Sequence, residues 1–166
     1  MIRLATSDDT AALIALAEAT GLFQPDQLDE VSAMLGDYFV NHDNSDRFWL
    51  TDAEENDGLL GIAYCEMERM TEGTWNLQLI AVRPDRQRQG RGAALLNHVE
   101  QRLAIGGGRI LLVETSGLPD FDRTRAFYRK CGYGEEARIR DFYQTGDDKI
   151  VYRKVLAASI NAHPSV

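Results

Sequence analysis

Hydrophobic and polar residues recur along the chain with two periods, and each period predicts one kind of secondary structure. Leu96, Val99 and Leu103 recur at helical spacing with polar residues between them, which predicts an amphipathic helix. Ser7, Asp8 and Asp9 are expected to supply capping side chains for an earlier helix. The same spacing predicts three further helices, over residues 11–19, from residue 25 onward and over residues 122–130. Apolar stretches bounded by turn residues predict strands over residues 2–5, 47–52, 59–69, 74–82, 109–115, 137–143 and 149–156.

The stretch from residue 77 to residue 103 combines a strand, a turn and a helix. Its apolar strand is closed by Pro84, because proline cannot donate to a sheet and favours a turn. Gly90 and Gly92 stand where the helix begins. The first N–H groups of a helix lack partners and carry partial positive charge, and glycine lets an anion approach that backbone closely. The pattern therefore predicts a phosphate-binding loop.

Charge in this stretch differs from charge in the rest of the chain. Arg83, Arg86, Arg88 and Arg91 stand against Asp85, a local excess of three positive charges within nine residues of a chain with net charge −8. We interpret this contrast as attraction of a polyanion to the turn.

The glycine pattern excludes two common phosphate-binding motifs and matches a third. Leu95 stands where the dinucleotide fingerprint has its third glycine, and no Gly-Lys-Ser/Thr sequence ends the turn. Gln-Arg-Gln-Gly-Arg-Gly at residues 87–92 resembles the central Gln/Arg-x-x-Gly-x-Gly/Ala motif of the GNAT superfamily of acetyl-CoA-dependent N-acetyltransferases. Arg-Ala-Phe-Tyr-Arg-Lys-Cys-Gly-Tyr at residues 125–133 resembles the family's later helix, and residues 2–9 resemble its opening strand and turn.

The resemblance spans almost the whole chain and implies its fold. A GNAT fold is an α/β structure, α+β mixed, with a mixed and mostly antiparallel sheet of about seven strands covered by about four helices. The length of 166 residues suits a single domain, which we predict over residues 1–156, with residues 157–166 as a loose C-terminal tail.

The resemblance also implies where acetyl-CoA binds. In the family, the pantetheine arm lies between two central strands that splay apart, which correspond to residues 77–82 and 109–115. Backbone N–H groups of Ile80, Ala81 and Val82 are expected to hold the acetyl carbonyl and to stabilise the oxyanion of the tetrahedral intermediate. The pyrophosphate is expected on the loop residues Gln87, Arg88, Gln89, Gly90, Arg91, Gly92 and Ala93.

Two residues are candidates for proton transfer. Tyr128 corresponds to the family's general acid, since a phenol with a pKa of about 10 stays protonated at neutral pH and can donate to a thiolate. The alternative is that Tyr128 only packs. Glu114 is the best-placed carboxylate for a general base, because Asn76 and Gln78 in the preceding strand take no proton. Its alternative is a structural or substrate-orienting role. Phe121 stands where the family commonly has an asparagine that contacts the cofactor, which leaves that contact open.

These residues predict direct transfer of acetyl from acetyl-CoA to a primary amine. The acceptor stays open among small polyamines or antibiotics, amino acids, peptide N-termini and protein lysines. Phe23, in the loop after the first helix, is expected either to help recognise the acceptor or to pack. A non-catalytic acyl-CoA-binding or interaction protein and a nucleotide-binding protein are the alternatives, and homodimer formation is left open.

Composition narrows the class of protein. Hydrophobic residues make up 44% of the chain, but no apolar run approaches the roughly 18 residues that cross a membrane, and no basic-then-apolar leader begins it. We therefore expect a cytoplasmic protein without a membrane partner. The net charge of −8 disfavours nucleic-acid binding. Cys65 and Cys131 lack metal-ligand spacing and His42, His98 and His163 are scattered, so no metal is expected.

Overall fold

The computed structural model describes residues 1–41 and 43–156, and within them the chain forms seven strands and four α-helices. The strands are Ile2–Leu4 (β1), Arg47–Glu54 (β2), Gly58–Met67 (β3), Thr74–Val82 (β4), Ile110–Ser116 (β5), Gly134–Gln144 (β6) and Asp147–Val155 (β7). The helices are Thr10–Ala19 (α1), Pro25–Val40 (α2), Arg91–Ile105 (α3) and Asp122–Lys130 (α4). This element order confirms the predicted α/β fold class. The predictions for His42, His163 and residues 157–166 lie outside the described residues.

The chain divides into two compact units, which we describe separately. The first contains residues Met1–Glu66 and Leu77–Val99, and the second contains Met67–Asn76 and Glu100–Val166. The single domain over residues 1–156 stays a prediction. None of the helices in residues 1–41 and 43–156 is long and apolar enough to cross a membrane.

The strands of the first unit follow the order β1, β2, β3, β4. β1 pairs with β2, and β2 pairs with β3, and both pairings are antiparallel. Trp49 of β2 lies opposite Tyr64 of β3, and the two rings stack with centroids 4.3 Å apart. Both side chains are buried, and this pair forms the centre of the unit's hydrophobic core.

Helix α2 begins at Pro25 because proline at the first helical position lacks only an N–H group that would be unpaired there. The preceding Gln24 N–H donates to Gln27 Oε1 at 2.8 Å, which caps the same end. Val31, Leu35 and Tyr38 form the buried stripe that the helical spacing predicts. Phe23, in the loop before α2, is partly buried and packs against this core.

The acidic residues before α1 act differently from the prediction. The side chain of Asp9 makes no cap to α1, and its Oδ2 instead accepts the Thr6 backbone N–H at 2.8 Å. Its two carboxylate oxygens also accept hydrogen bonds from the two terminal nitrogens of Arg3, at 2.7 and 2.9 Å. Asp9 therefore joins β1 to the start of the helical layer.

Asp9 predicts a pH-dependent contribution to stability. The hydrogen bond from Arg3, with smaller contributions from Thr6, lowers the pKa of Asp9 to about 2. Because the pKa is lower in the folded state, the ionised carboxylate stabilises that state at pH values above about 3.9, the pKa of an aspartate in the unfolded chain. This contribution is lost as the pH falls through about 2. We expect Asp9→Asn to lower the free energy of unfolding at pH 7 by about 1 to 2 kcal/mol, less than full linkage gives because Arg3 is 41% exposed.

Urea denaturation of both proteins at pH 7, 4 and 2 checks this expectation. The difference between wild type and Asp9→Asn should shrink at pH 4 and vanish near pH 2. Asp8→Asn is the matched control, since Asp8 is exposed and precedes the same helix. A difference that persists unchanged at pH 2 would contradict the assignment of the stability to the ionised Asp9 carboxylate.

The strands of the second unit follow the order β5, β7, β6, with both pairs antiparallel. Ile150 and Tyr152 of β7 are fully buried, whereas every residue of β6 is exposed. Helix α4 buries Tyr128 in this unit, and Tyr128 forms ring contacts with Tyr133 and Tyr152. The strand predicted over residues 137–143 extends over Gly134–Gln144 in the structure. The prediction was too short because the ends of this strand carry no apolar pattern.

Candidate active site

The predicted strand, turn and helix occur in the first unit at the predicted place. β4 ends at Val82, and the next N–H, that of Arg83, donates to Leu60 O of β3 at 2.8 Å. One 3-10 turn over Pro84–Arg86 follows. The Gln87 side chain then donates back to Val82 O at 3.0 Å, and α3 begins at Arg91.

Residues 87–93, which we call the phosphate loop, leave backbone N–H groups available. Arg88 and Gly90 have φ angles of 60° and 79°, a left-handed conformation that turns the chain sharply into α3. Ala94 N donates to Gly90 O at 3.0 Å and closes the first turn of the helix. Arg91, Gly92 and Ala93 are the first three residues of α3, so the helix itself supplies no acceptor for their N–H groups. Residues 87–90 are exposed, so an anion could reach this backbone.

The arginines of this region have carboxylate partners that the sequence did not reveal. Arg83 Nη2 lies 2.8 Å from Asp57 Oδ1, and Arg83 Nε lies 2.6 Å from Asp85 Oδ1. Arg86 also pairs with Asp57. The excess of positive charge counted along the chain is thus balanced in space. The interpretation that all four arginines attract a polyanion needs revision, because it counted only neighbours in sequence.

Arg91, the first residue of α3, is held by β2. Its Nη1 donates to Asp52 Oδ2 at 2.9 Å, and its Nη2 pairs with Glu54. Asp52 is 5% exposed, so this ion pair is partly shielded from water. Among the described residues, Arg88 alone of the four arginines forms no ion pair.

Tyr128 lies in the second unit and is 4% exposed. Its ring centroid is 5.3 Å from that of Phe127 and 6.0 Å from those of Tyr133 and Tyr152. Burial, and to a smaller extent the nearby Cys131, raises the pKa of Tyr128 above its ordinary value. No hydrogen bond joins its hydroxyl to another residue in ranges 1–41 and 43–156. A buried, protonated and unpaired phenol is able to donate a proton.

Glu114 lies on β5 of the same unit, and both of its carboxylate oxygens have donors. Oε1 accepts the Asn76 side-chain amide at 3.1 Å, and Oε2 lies 2.9 Å from Lys149 Nζ. The same Asn76 nitrogen donates to Glu68 Oε1 at 3.0 Å. Use of Glu114 as a base would require one of these contacts to open. Sequence reasoning identified Asn76 only as a group that takes no proton, and nothing in the sequence indicated Lys149 or Glu68.

Phe121 precedes the first residue of α4 and closes a short turn, its N–H donating to Leu118 O at 3.0 Å. Arg125 Nη1 donates to Leu118 O at 2.9 Å and fixes the same segment. The loop that the asparagine would occupy in the resembling family is thus held by backbone and arginine contacts in this chain.

The remaining chemically active side chains are not grouped. Both cysteines are free, and burial raises the pKa of the Cys65 thiol, which makes it unreactive. Within residues 1–41 and 43–156, no group of three or more histidine, cysteine, aspartate or glutamate side chains is arranged to hold a metal ion.

Known proteins resemble this chain along nearly all of its length. A solved GNAT-family protein from Desulfovibrio desulfuricans is 34% identical, with 95% of this chain and 99% of that chain covered and a TM-score of 0.89. An aminoglycoside 6'-N-acetyltransferase complexed with coenzyme A is 17% identical, with 95% and 97% covered and a TM-score of 0.75. The ribosomal-protein-S18-alanine N-acetyltransferase from Escherichia coli is 24% identical, with 98% of both chains covered and a TM-score of 0.72.

The last two similarities, at low identity, show the fold alone. A comparison with curated proteins yields no significant match. The family model described as the Acetyltransferase (GNAT) family matches residues 10–133, a stretch that includes the phosphate loop, Glu114 and Tyr128. This chain belongs to the GNAT acetyltransferase family, as an N-acetyltransferase.

Proposed function

We propose that this protein transfers the acetyl group of acetyl-CoA to a primary amine by direct attack of the amine on the thioester. The observation that carries the proposal is the start of α3 at Arg91, which directly follows the exposed, left-handed turn of residues 87–90, so that the first N–H groups of the helix face an accessible loop. A free helix start with glycines binds a pyrophosphate through backbone alone.

The cofactor contacts in the proposal are the ones expected from the sequence. The N–H groups of residues 88–93 bind the pyrophosphate, and Gln87 supports the turn through its bond to Val82 O. The backbone of Ile80, Ala81 and Val82 holds the acetyl carbonyl. Negative charge develops on that carbonyl oxygen as the amine attacks, and oriented N–H donors stabilise it.

Two proton transfers complete the reaction. The amine nitrogen bonds to the carbonyl carbon, the carbon–sulfur bond breaks, and coenzyme A leaves as a thiolate that takes a proton. In the proposal Tyr128 donates this proton, which its raised pKa keeps in place at neutral pH.

The attacking amine loses a proton, and the acceptor determines how much help this needs. An α-amine with a pKa of about 8 is partly neutral at pH 7, whereas a lysine-like amine of about 10.4 is almost wholly charged. Glu114 is the proposed base for the second class of acceptor. Its two carboxylate oxygens are held by Lys149 and Asn76, so it is fixed in position on β5.

This chemistry specifies the acceptor as a primary amine and does not distinguish between kinds of primary amine. Structures of the same fold include an aminoglycoside acetyltransferase and a ribosomal-protein-alanine acetyltransferase, so both a small cationic amine and a peptide amine are in the proposal. The unpaired cysteines suit a reducing compartment, which supports the cytoplasmic location.

Calorimetric titration of acetyl-CoA tests the proposal, with ADP as a control. We expect micromolar binding of acetyl-CoA and much weaker binding of ADP, because ADP lacks the pantetheine arm. Thiol release measured with polyamines, aminoglycosides, amino acids and peptides then identifies the acceptor class. Binding without thiol release in every case would favour a non-catalytic acyl-CoA-binding protein. Tight ADP binding without preference for the arm would favour a nucleotide-binding protein, and no binding would contradict the proposal.

A further inference from the structure

The hairpin of β2 and β3 is attached to both ends of the phosphate loop. Before the loop, Asp57 in the hairpin turn accepts Arg83 Nη2 at 2.8 Å through its carboxylate and Arg83 Nη1 at 2.9 Å through its carbonyl. The same carboxylate pairs with Arg86. One aspartate thus holds Arg83, which precedes the 3-10 turn leading into the loop, and Arg86, which is the last residue of that turn.

The other end of the loop is attached in the same way. Arg91, where α3 begins, donates to Asp52 Oδ2 at 2.9 Å and pairs with Glu54, and both acids belong to β2. We call the acids Asp52, Glu54 and Asp57, together with their arginine partners, the carboxylate clamp. All of its members lie in the first unit.

The loop between these attachments holds its shape with few bonds of its own. Arg88 has a φ of 60°, which costs a non-glycine residue about 1 kcal/mol and persists only when the surrounding structure enforces it. Residues 87–90 are exposed, and the Gln87 side chain supplies one bond, to Val82 O. The clamp is therefore the part of the first unit that can enforce this conformation.

The clamp also decides what the arginines do. Arg83 and Arg86 are charge-paired with Asp57, so part of their positive charge is already neutralised before a phosphate binds. The first N–H groups of α3, by contrast, have no acceptor within the helix itself. This division assigns anion binding to the backbone and loop geometry to the arginines.

We infer that Asp57 is a positioning residue, which holds the phosphate loop in its anion-binding conformation through Arg83 and Arg86. The inference rests on the proposed binding of acetyl-CoA to this loop. It adds that affinity for the pyrophosphate depends on a carboxylate of the β2–β3 turn, although that carboxylate has the same sign of charge as the ligand.

Titration of acetyl-CoA into Asp57→Asn tests the inference. We expect binding about tenfold weaker than in the wild type, since a charge-assisted contact that orders the loop is lost. Simple electrostatics predicts the opposite, because the substitution removes a negative charge and frees two arginines. Glu55→Gln is the matched control. Glu55 lies in the same turn, is exposed and has no ion pair among the described residues, so it should bind as the wild type does.

Two ligand fragments separate positioning from general loss of structure. Asp57→Asn should weaken binding of ADP, which carries the pyrophosphate, and leave binding of S-acetylpantetheine, which carries none, unchanged. Glu54→Gln, at an exposed site at the other end of the loop, should weaken ADP binding in the same direction. The double variant Asp57→Asn with Arg83→Gln should bind about as tightly as Asp57→Asn alone, because the contact between Asp57 and Arg83 is already lost in the single variant.

Unchanged or tighter binding of acetyl-CoA by Asp57→Asn would overturn the inference, and so would equal losses for ADP and S-acetylpantetheine. If the wild type itself binds no acetyl-CoA, the proposed function fails and the inference fails with it. Binding by the wild type with an unaffected Asp57→Asn variant would leave the proposed function standing alone.

Discussion

Tyr128→Phe should lower kcat by about 10²-fold, with little change in acetyl-CoA affinity, because a general acid contributes roughly that factor. Phenylalanine keeps the ring that packs against Phe127, Tyr133 and Tyr152, so the core of the second unit should stay intact. In the proposed mechanism, removal of the hydroxyl leaves the departing thiolate without its proton donor. Steady-state thiol release, measured with whichever amine proves active, gives the result.

The pH dependence of the wild type adds a second readout. Because burial raises the pKa of Tyr128, its protonated form persists through neutral and mildly alkaline solution. Deprotonation of Tyr128 should therefore cause no fall in the kcat of the wild type at pH values below about 10.

Tyr133→Phe is the matched control, since it removes another tyrosine hydroxyl from the same aromatic cluster. The Tyr133 hydroxyl donates to Glu100 at 2.8 Å, so this variant should lose some stability and keep its turnover. Equal turnover in Tyr128→Phe and the wild type would remove Tyr128 from the mechanism and leave it a packing role.

Gly92→Glu should abolish measurable acetyl-CoA binding, a loss of about 100-fold or more, because a carboxylate would stand where we propose that the phosphates bind. Gly92 is the second residue of α3 and is not among the glycines with positive φ, so glutamate fits its backbone conformation. A negative side chain near the start of a helix even favours the helix. The variant should therefore fold, and calorimetric titration reports on the site itself.

Ala94→Glu separates a local effect from a change in net charge. It adds the same side chain to an exposed position of the same helix, beyond the free N–H groups, where Ala94 N already donates to Gly90 O. We expect at most a few-fold weakening there, from charge at longer range. Wild-type affinity in Gly92→Glu would show that the pyrophosphate does not bind at the start of α3.

Local signals predicted the elements well, since their physical causes lie within a few residues. The apolar stripe of Val31, Leu35 and Tyr38 and the proline at residue 25 place α2 correctly. The glycines at residues 90 and 92 mark the start of α3 within one residue. Capping was less predictable, because the Asp9 side chain accepts hydrogen bonds from the Thr6 N–H, at the start of the short 3-10 turn before α1, and from Arg3, instead of capping α1 itself.

In the candidate site, too, the features with local causes were predicted and those that depend on distant residues were not. The motif of residues 87–92 depends on backbone conformation and missing side chains, which sequence specifies directly. The partners of its arginines depend on the register of β2 against β3, which brings Asp52, Glu54 and Asp57 to the loop from about 30 residues away. A count of charges along the chain could not include them.

The sequence by itself determined the strand, turn and helix of the phosphate loop, the family, and Tyr128 as the candidate acid, because periodicity, glycine positions and a motif are local properties. Only the tertiary structure decided that the arginines are paired with carboxylates, that Glu114 is shared by Asn76 and Lys149, and that Tyr128 is buried. These facts depend on which distant side chains meet, and strand pairing and burial fix those encounters only when the whole chain has folded.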